Sequence, residues 1–455
     1  MTAQLDHRTL YRLPWSLPDN AISWLEPTAA CNLYCEGCYR TNDPKGHKSL
    51  EQVGQDLDVF ARFRTSDGIS VAGGDPLTHP QVVDIVAMIS ERGFKPILNT
   101  NGLALQRELL VELKRAGLKG LTIHIDSKQR RPHWRGKSEI ELNELRLQFA
   151  RMVADVGNLS CAFNSTVYED TLEYVPDILE WGTQHIDIVH VLVFIAFRAA
   201  MTSGAFEYYV GGKPIDIEPV PYATSESPRT DIRSTDILET IRKRFPDFAP
   251  CAYLNGTEAP DSFKWLLTGR VGSPGRIYGY VGPRFMELAQ TTHHLYRRRY
   301  LAYSSPRTLR RARSMLMLSP FDRGLARTAS TYLRAVGRNP LRAFRRLHFQ
   351  SVMMIQPIDV LPDGRQSMCD SCPDMTVWNG RLAWSCRLEE PMRYGDFVQT
   401  VPRGWRARFG GGSDAPADGG DGAPAGSGNG TPAGGGNGTP AGGGGKPPGG
   451  SQPAG

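Results

Sequence analysis

The sequence predicts an α/β fold built on a parallel sheet, and two features carry that prediction. Between about residues 21 and 200, short apolar segments alternate with segments whose apolar residues recur every three or four positions. The first pattern is typical of buried strands and the second of amphipathic helices, and their alternation favours parallel strands joined by crossover helices. Polar and glycine-containing motifs follow several of the strands, which is where such folds place their chemistry.

Six strands are predicted in this region. The last, at 186–197, is the longest apolar segment of the chain, but its 12 residues and its His190 make it too short and too polar to span a bilayer. It is therefore predicted as a buried strand. The other strands are placed at 23–26, 68–72, 95–100, 121–126 and 159–168, and the helices between them at 81–92, 105–116, 138–154 and 172–181.

Three cysteines lie together just after the first predicted strand. Cys31, Cys35 and Cys38 stand at offsets 0, 4 and 7, and thiolates clustered this closely bind a metal or form disulfides. Three is an odd number for disulfides and one short of a closed zinc site. A [4Fe–4S] cluster that keeps one iron free suits three thiolates. A zinc site that takes a distant fourth ligand is the alternative from spacing alone.

This cysteine loop, with Tyr34 and Tyr39 beside it, resembles the C-x3-C-x2-C motif of the radical SAM superfamily. The resemblance implies a partial (β/α)6 TIM-type barrel over residues 21–200. It also implies that Cys31, Cys35 and Cys38 each hold one iron and that S-adenosylmethionine binds the fourth. The expected activity is reductive cleavage of S-adenosylmethionine to a 5′-deoxyadenosyl radical, with a reductant such as flavodoxin or ferredoxin as partner.

Two strand ends resemble S-adenosylmethionine-binding segments of this family. The motif at 73–76 resembles GGEP with Asp in place of Glu, which implies contacts from Gly73, Gly74 and Asp75. The Asn-Thr-Asn-Gly sequence at 99–102 resembles the family's TNG strand end, which implies contacts from Thr100 and Asn101. A structural Asn-Gly turn is the alternative there.

A third strand end departs from the family pattern. His124 stands where relatives often carry a serine, so Ser127 is the candidate for that hydroxyl contact. His124 itself is a candidate proton donor or substrate contact, and a structural histidine at a strand end is the alternative.

A second cysteine group follows near the C-terminus. Cys369, Cys372 and Cys386 flank a predicted hairpin whose turn is Asn-Gly at 379–380. The group resembles the C-terminal cluster of the molybdenum-cofactor GTP cyclase family, which implies a second [4Fe–4S] cluster in a small, twitch-like hairpin domain at 351–400. Cys251 is a candidate fourth ligand, and zinc or a disulfide are the alternatives. GTP is not the expected substrate, because Pro373-Asp374 replaces the Asn-Arg of that family.

Residues 201–350 are predicted as an irregular and helical insertion. Residues 297–346 carry 14 Arg, no Lys and one acid, Asp322, with apolar residues at helical spacing. Short basic amphipathic helices broken at Pro306, Pro320 and Pro340 are therefore expected. They make an anionic membrane surface a candidate partner, and solvated helices packed on the barrel are the alternative. Nucleic acid is an unlikely partner, because the pattern of a known RNA-binding fold is missing.

The remaining expectations concern the chain ends and the function. Residues 1–20 are an N-terminal extension, and 408–455 are a Gly/Pro-rich tail too poor in apolar residues to fold. A secretory signal is not visible, so we expect a cytoplasmic protein. Peripheral attachment to a membrane is a further option. The predicted function is a radical SAM enzyme of unidentified substrate, a lipid being slightly preferred to a peptide or a small anionic metabolite. The alternative is a non-catalytic zinc-binding scaffold with a basic membrane- or nucleic-acid-binding region.

Overall fold

The computed structural model describes residues 5–198, 206–217, 220, 229 and 231–404. The predicted tail and part of the predicted insertion lie outside these residues. The strands of the described part are β1 (Tyr11–Arg12), β2 (Ile22–Thr28), β3 (Gly68–Gly73), β4 (Lys95–Thr100), β5 (Gly120–His124), β6 (Ser160–Val167), β7 (Val191–Ala196), β8 (Phe206–Val210), β9 (Lys213–Pro214), β10 (Ala252–Leu254), β11 (Trp265–Ser273), β12 (Arg276–Tyr280), β13 (His348–Ile355), β14 (Asp359–Val360), β15 (Gln366–Ser367), β16 (Met375–Trp378), β17 (Arg381–Trp384) and β18 (Gln399–Pro402).

The α-helices surround these strands. They are α1 (Leu50–Phe63), α2 (Val82–Glu91), α3 (Arg107–Arg115), α4 (Leu142–Val156), α5 (Val175–Gln184), α6 (Ser234–Arg244), α7 (Pro283–Arg297), α8 (Pro306–Leu309), α9 (Ala312–Met315), α10 (Arg323–Arg338) and α11 (Glu389–Tyr394). Short 3-10 helices lie at His7–Thr9, Pro76–Thr78, Ser127–Gln129, Glu169–Tyr174, Leu316–Leu318, Pro340–Phe344 and Ser385–Arg387.

The predicted α/β barrel sheet is present. Strands β2 to β7 lie side by side in chain order and every neighbouring pair is parallel. Every residue of β3 is buried, as expected for a parallel strand covered on both faces. The helices cover the outer face with apolar stripes; α2, for example, buries Val82, Ile85, Val86 and Ile89. The long apolar segment at 186–197 forms only the short strand β7, because residues 185–188 turn before it.

The sheet continues beyond the six predicted strands. β13 pairs with β7 in parallel, and β11, β10 and β1 extend the sheet from there. The insertion predicted as irregular and helical, 201–350, therefore also supplies strands to the barrel, and the predicted boundary at 350/351 falls inside β13. Residues 1–20 likewise contribute β1. The pairings of β7 with β13 and of β1 with β10 join residues far apart in the chain, such as Val191 with Ser351 and Tyr11 with Ala252, so local sequence patterns carry little sign of them.

The arginine-rich region forms the helices that its spacing predicts. Pro306 begins α8 and Pro340 begins a 3-10 helix, since proline suits a first helical position. α10 buries Leu325 and Tyr332 in a second apolar core that also contains Phe349 of β13. In the described part of the chain, no helix is both long enough and apolar enough to cross a membrane.

The segment that carries the second cysteine group, 369–386, lies between β1 and β2, the two end strands of the sheet. Its β16–β17 hairpin turns at Asn379 and Gly380, which both have positive φ, as the Asn-Gly signal predicts. β16 packs against the end strand β2. On the other side, Cys369 forms a bridge with Gly256, just after β10. The segment that carries the second cysteine group thus covers the gap in the barrel wall.

Candidate active site

Both cysteine groups line one cavity of about 610 Å³ inside the barrel. The cavity extends from the loops at the carboxyl ends of the parallel strands to His190 and α8 at their amino ends, and its lining is mostly apolar. Its volume lies in the range of small-molecule binding sites. The site is therefore an enclosed chamber that two sets of thiols face.

The first cysteine loop is held from both sides. Asn42 accepts from the backbone N–H of Cys31 at 3.0 Å and donates to the carbonyl of Cys31 at 2.9 Å. Tyr168 donates its hydroxyl to the carbonyl of Glu36 at 2.7 Å. Gly37 has a φ of +65°, and a β-carbon there would lie 2.4 Å from the ring of Phe197. A side chain at this position is excluded, so the loop has one tightly packed path between Cys35 and Cys38.

The thiols of this loop suit a buried metal cluster. Burial raises the pKa of Cys31, of Cys35 and of Cys38, so without a metal they are protonated at neutral pH. A bound metal displaces those protons and compensates the buried negative charge. No three His, Cys, Asp or Glu side chains of the described residues are grouped around a position for a single metal ion. Three thiols on one loop that all line the cavity are a possible donor set for an iron–sulfur cluster.

Gly73 and Gly74 press against the backbone of the same loop. The N–H of Gly74 donates to the carbonyl of Thr28 at 2.8 Å, and the N–H of Asp75 donates to that of Ala30 at 2.7 Å. A β-carbon on Gly74 would lie 2.2 Å from the Ala30 oxygen. Only glycine allows this approach, and both glycines line the cavity.

Asp75 differs from the expectation that its side chain faces S-adenosylmethionine. Its carboxylate accepts from the Thr100 hydroxyl at 2.9 Å and from the backbone N–H of Asn101 at 2.7 Å and of Leu77 at 2.9 Å. The residue is buried and does not line the cavity. Its short side chain is directed to the neighbouring strand, so it ties the end of β3 to the end of β4.

Thr100 and Asn101 do line the cavity. The side-chain amide of Asn101 donates to Asn32 at 2.7 Å and to the sulfur of Cys31 at 3.7 Å. Asn101 therefore supports the first cysteine loop, a role that the strand-end resemblance does not indicate.

Ser127 does not line the cavity, although the family resemblance implies a contact between its hydroxyl and S-adenosylmethionine. Its backbone N–H donates to Glu139 at 2.6 Å, and the wall at this point is formed by His124 and Asp126. The two are joined at 2.6 Å between Nε2 of His124 and the carboxylate of Asp126. Burial would raise the pKa of Asp126, but His124 and backbone N–H donors hold it below its ordinary value.

The second group, Cys369, Cys372 and Cys386, lines the cavity opposite the first. A hydrogen bond with Cys369 and burial raise the pKa of Cys372, and burial raises that of Cys386 to about 12. Cys251 is not in the cavity wall; its thiol lies in the apolar core and contacts the Leu267 carbonyl at 3.4 Å. All eight cysteines are described and none forms a disulfide. Each group thus has three cysteines on the cavity wall.

A buried ion pair that the sequence analysis missed joins the two groups. Arg40, two residues after Cys38, donates to both carboxylate oxygens of Glu26 at 2.6 and 2.7 Å and to the Ser385 carbonyl at 2.6 Å. The Ser385 hydroxyl donates to Glu26 at 2.6 Å, and Cys386 follows. Burial alone would lower the pKa of Arg40, but the Glu26 carboxylate reverses this and the pKa is raised. Glu26, the one charged residue of β2, is the local signal of this link.

Several buried polar atoms on the cavity wall have no hydrogen-bond partner within the described residues. Nδ1 of His190 accepts from the backbone N–H of Cys161 at 3.0 Å, so the neutral ring carries its hydrogen on Nε2, which is unpartnered. Burial lowers the pKa of His190 to about 4, so the ring is neutral at physiological pH. The other such atoms are Nδ2 of Asn99, Oδ1 of Asn164, Oγ1 of Thr268 and Nε1 of both Trp15 and Trp24. A bound molecule can satisfy these atoms.

The comparison with protein families agrees with this geometry. The model of the radical SAM superfamily matches residues 25–182, which include the first cysteine loop and strands β3 to β6. The chain therefore contains a region that matches the radical SAM superfamily. Residues 25–182 are its radical SAM domain, and such domains bind a [4Fe–4S] cluster and S-adenosylmethionine.

Its similarity to individual proteins is partial. An AdoMet-dependent heme synthase of Methanosarcina barkeri is 32% identical over 115 residues, which cover 25% of this chain and 32% of the synthase. A probable GTP 3′,8-cyclase of Methanocaldococcus jannaschii is 26% identical over 202 residues, 42% of this chain and 63% of the cyclase. The chain thus matches less than two thirds of either relative. Among solved structures, SuiB of Streptococcus suis with S-adenosylmethionine is 12% identical, covers 53% of this chain and 48% of its own, and has a TM-score of 0.35.

We expect Arg40→Gln to destabilise the protein by about 3–5 kcal/mol, because it leaves Glu26 as a buried and uncompensated charge. The melting temperature and the iron content per chain of anaerobically purified protein measure the effect, and iron should be lost from both cysteine groups. The control is Arg8→Gln, since the pair between Arg8 and Asp6 is exposed and should change neither value. If Arg40→Gln has the melting temperature of the wild type, the ion pair between Arg40 and Glu26 does not hold the two cysteine groups together.

Proposed function

We propose that this protein cleaves S-adenosylmethionine reductively and uses the resulting radical to abstract a hydrogen atom from a substrate held inside the barrel. The observation that carries the proposal is the cavity inside the barrel, which both groups of thiols line. The reduced [4Fe–4S] cluster, when bound, supplies the electron that splits the sulfonium into methionine and the 5′-deoxyadenosyl radical. A small protein such as flavodoxin or ferredoxin is the proposed source of that electron.

The residues of the site divide into three proposed roles. Cys31, Cys35 and Cys38 hold the catalytic cluster, which their spacing, their shared loop and their place on the cavity wall support. Gly73 and Gly74 allow the close backbone approach that S-adenosylmethionine requires, with Thr100 and Asn101 beside them. Asp75 and Ser127 are not assigned a contact, because neither lies on the cavity wall. The barrel wall and the C-terminal segment exclude water from the reactive centre.

Cys369, Cys372 and Cys386 are proposed to hold a second [4Fe–4S] cluster. The support is that all three line the same cavity, that Cys372 is buried, and that Ser385, the residue before Cys386, is held by Arg40. With Cys161 and Cys251 both in apolar cores, three thiolates serve this cluster, and one iron is left for a substrate atom or another ligand.

The cavity favours an elongated and mostly apolar substrate. Its wall combines apolar side chains such as Val193, Met353 and Phe349 with a few unpartnered polar atoms. Such a lining suits an aliphatic chain with one or two polar groups. We therefore propose a lipid in preference to a peptide or a small anionic metabolite.

The arginine-rich helices support an anionic membrane surface as the partner. None of the 14 arginines at 297–346 forms an ion pair with an acid of the described residues. The single acid of that region, Asp322, instead accepts from the backbone N–H groups of Gly282 and Leu325. Large apolar side chains are exposed among the arginines, namely Leu295, Tyr296, Met317, Phe321, Leu333, Leu341 and Phe344. Unpaired guanidinium groups and exposed apolar side chains together suit a lipid surface.

We expect Cys35→Ala to abolish formation of 5′-deoxyadenosine while the iron of the second group stays in place. The two groups lie on separate segments, so one can lose its metal without the other. Cys372→Ala is the reciprocal control and should keep slow formation of 5′-deoxyadenosine with about half of the iron. Both are measured after dithionite reduction, together with iron per chain. Cleavage that persists in Cys35→Ala would refute the assignment of the catalytic cluster.

We expect the protein to co-sediment with anionic vesicles and to bind less as salt rises, because each arginine near an anionic bilayer contributes about 1 kcal/mol. Phe321→Ser/Phe344→Ser should weaken the salt-resistant part of the binding. The matched control is Ile140→Ser, which removes an exposed apolar side chain far from the arginines in sequence. Protein that stays in the supernatant with anionic vesicles at low salt would contradict the membrane proposal and favour a soluble substrate.

A further inference from the structure

A second and smaller pocket lies at the opposite end of the barrel from the cysteine loops. Its volume is about 430 Å³. Asp187 and Ile188 line it just before β7, and His348 lines it as the first residue of β13. Because β7 and β13 are parallel, these residues mark the amino ends of the strands, away from the proposed chemistry. We call this feature the basal pocket.

The charges of the basal pocket are strongly unbalanced. Arg310, Arg345 and Arg346 line it, and Asp187 is the one acid in its lining. All three arginines are exposed. Their guanidinium groups form no ion pair or hydrogen bond with any of the described residues, although other arginines of the chain find partners. Three guanidinium groups around one concavity repel one another unless an anion lies between them.

His348 is a further unpartnered donor in this pocket. The residue is only 6% exposed, and its ring has no hydrogen-bond partner within the described part of the chain. Burial and the nearby charges of Arg310 and Arg346 lower the pKa of His348, while Asp187 acts in the opposite direction. A neutral imidazole can still donate one hydrogen bond to an anion, so the pocket combines three fixed positive charges with a buried donor.

From this arrangement we propose that the basal pocket binds a phosphate group through Arg310, Arg345, Arg346 and His348. Guanidinium groups pair with phosphate oxygens through two parallel hydrogen bonds, which favours phosphate over a simple halide. The group belongs to a phospholipid headgroup or to a soluble phosphate compound, since both present the same oxygens. This binding does not depend on cleavage of S-adenosylmethionine, so the two proposals can fail separately.

The test is a titration of the full-length, anaerobically purified protein with inorganic phosphate at constant ionic strength, with chloride as the balancing anion. We expect saturable phosphate binding in the wild type and an affinity lower by about tenfold or more in Arg310→Gln/Arg346→Gln, because charged hydrogen bonds are lost. The matched control is Arg327→Gln/Arg338→Gln, which removes two exposed charges from α10 outside the pocket. It should bind phosphate like the wild type.

Asp187→Asn supplies a test that poor folding cannot mimic. Removing the one carboxylate of the pocket should raise the affinity for phosphate several-fold, since a like charge no longer opposes the ligand. The proposal is overturned if phosphate binds no better than chloride. It is also overturned if the two double variants lose the same affinity, or if Asp187→Asn binds no more tightly than the wild type.

Vesicles of phosphatidylcholine with added phosphatidate then identify the source of the phosphate. A larger loss of vesicle binding in Arg310→Gln/Arg346→Gln than in Arg327→Gln/Arg338→Gln supports a lipid headgroup in the pocket. Equal vesicle binding by the two variants, together with the loss of inorganic phosphate binding, supports a soluble phosphate compound.

Discussion

The buried ion pair between Arg40 and Glu26 is the interaction on which the arrangement of the site depends. The two side chains are only 3% and 5% exposed, and the pair also binds both the carbonyl and the hydroxyl of Ser385. A buried ion pair adds little net stability compared with apolar side chains of the same size. Here the ion pair fixes the positions of three segments, because it connects the end of β2, the first cysteine loop and the residue before Cys386.

The neighbouring contacts extend the same connection. The backbone N–H and the hydroxyl of Thr41 both donate to Glu389, at 3.0 and 2.8 Å. The first residues after the cysteine loop are thereby fixed to the start of α11. The hairpin of β16 and β17 is thus part of the barrel wall, and the proposed second cluster would share one closed chamber with the proposed first.

The open interior of the barrel follows from the size of its inward side chains. Barrels of this kind are usually filled by bulky branched residues. On β3 and β6 the small residues Ser70, Ala72, Ser160 and Ala162 line the wall, which leaves space beside the larger side chains of the other strands. The cavity therefore extends along the strands, and the arginine-rich helices close its lower end through residues such as Leu309 and Met315.

Local patterns in the sequence predicted the parts of the molecule that are themselves local. The Asn-Gly hairpin at 379–380 lies within a few residues and takes the predicted form. The three-cysteine loop and the Gly-Gly turn at 73–74 are equally local and follow the predicted strands. The orientation of Asp75 toward Thr100, the link from Arg40 to Ser385 and the pairing of β13 with β7 join distant segments. Because these contacts are set by tertiary packing, spacing along the chain did not predict them.

The metal content of the wild-type protein purified without oxygen tests the central claim most directly. If two [4Fe–4S] clusters face the cavity, the protein is brown and holds about eight irons and about eight sulfides per chain. Colourless protein with two zinc ions per chain would contradict this account.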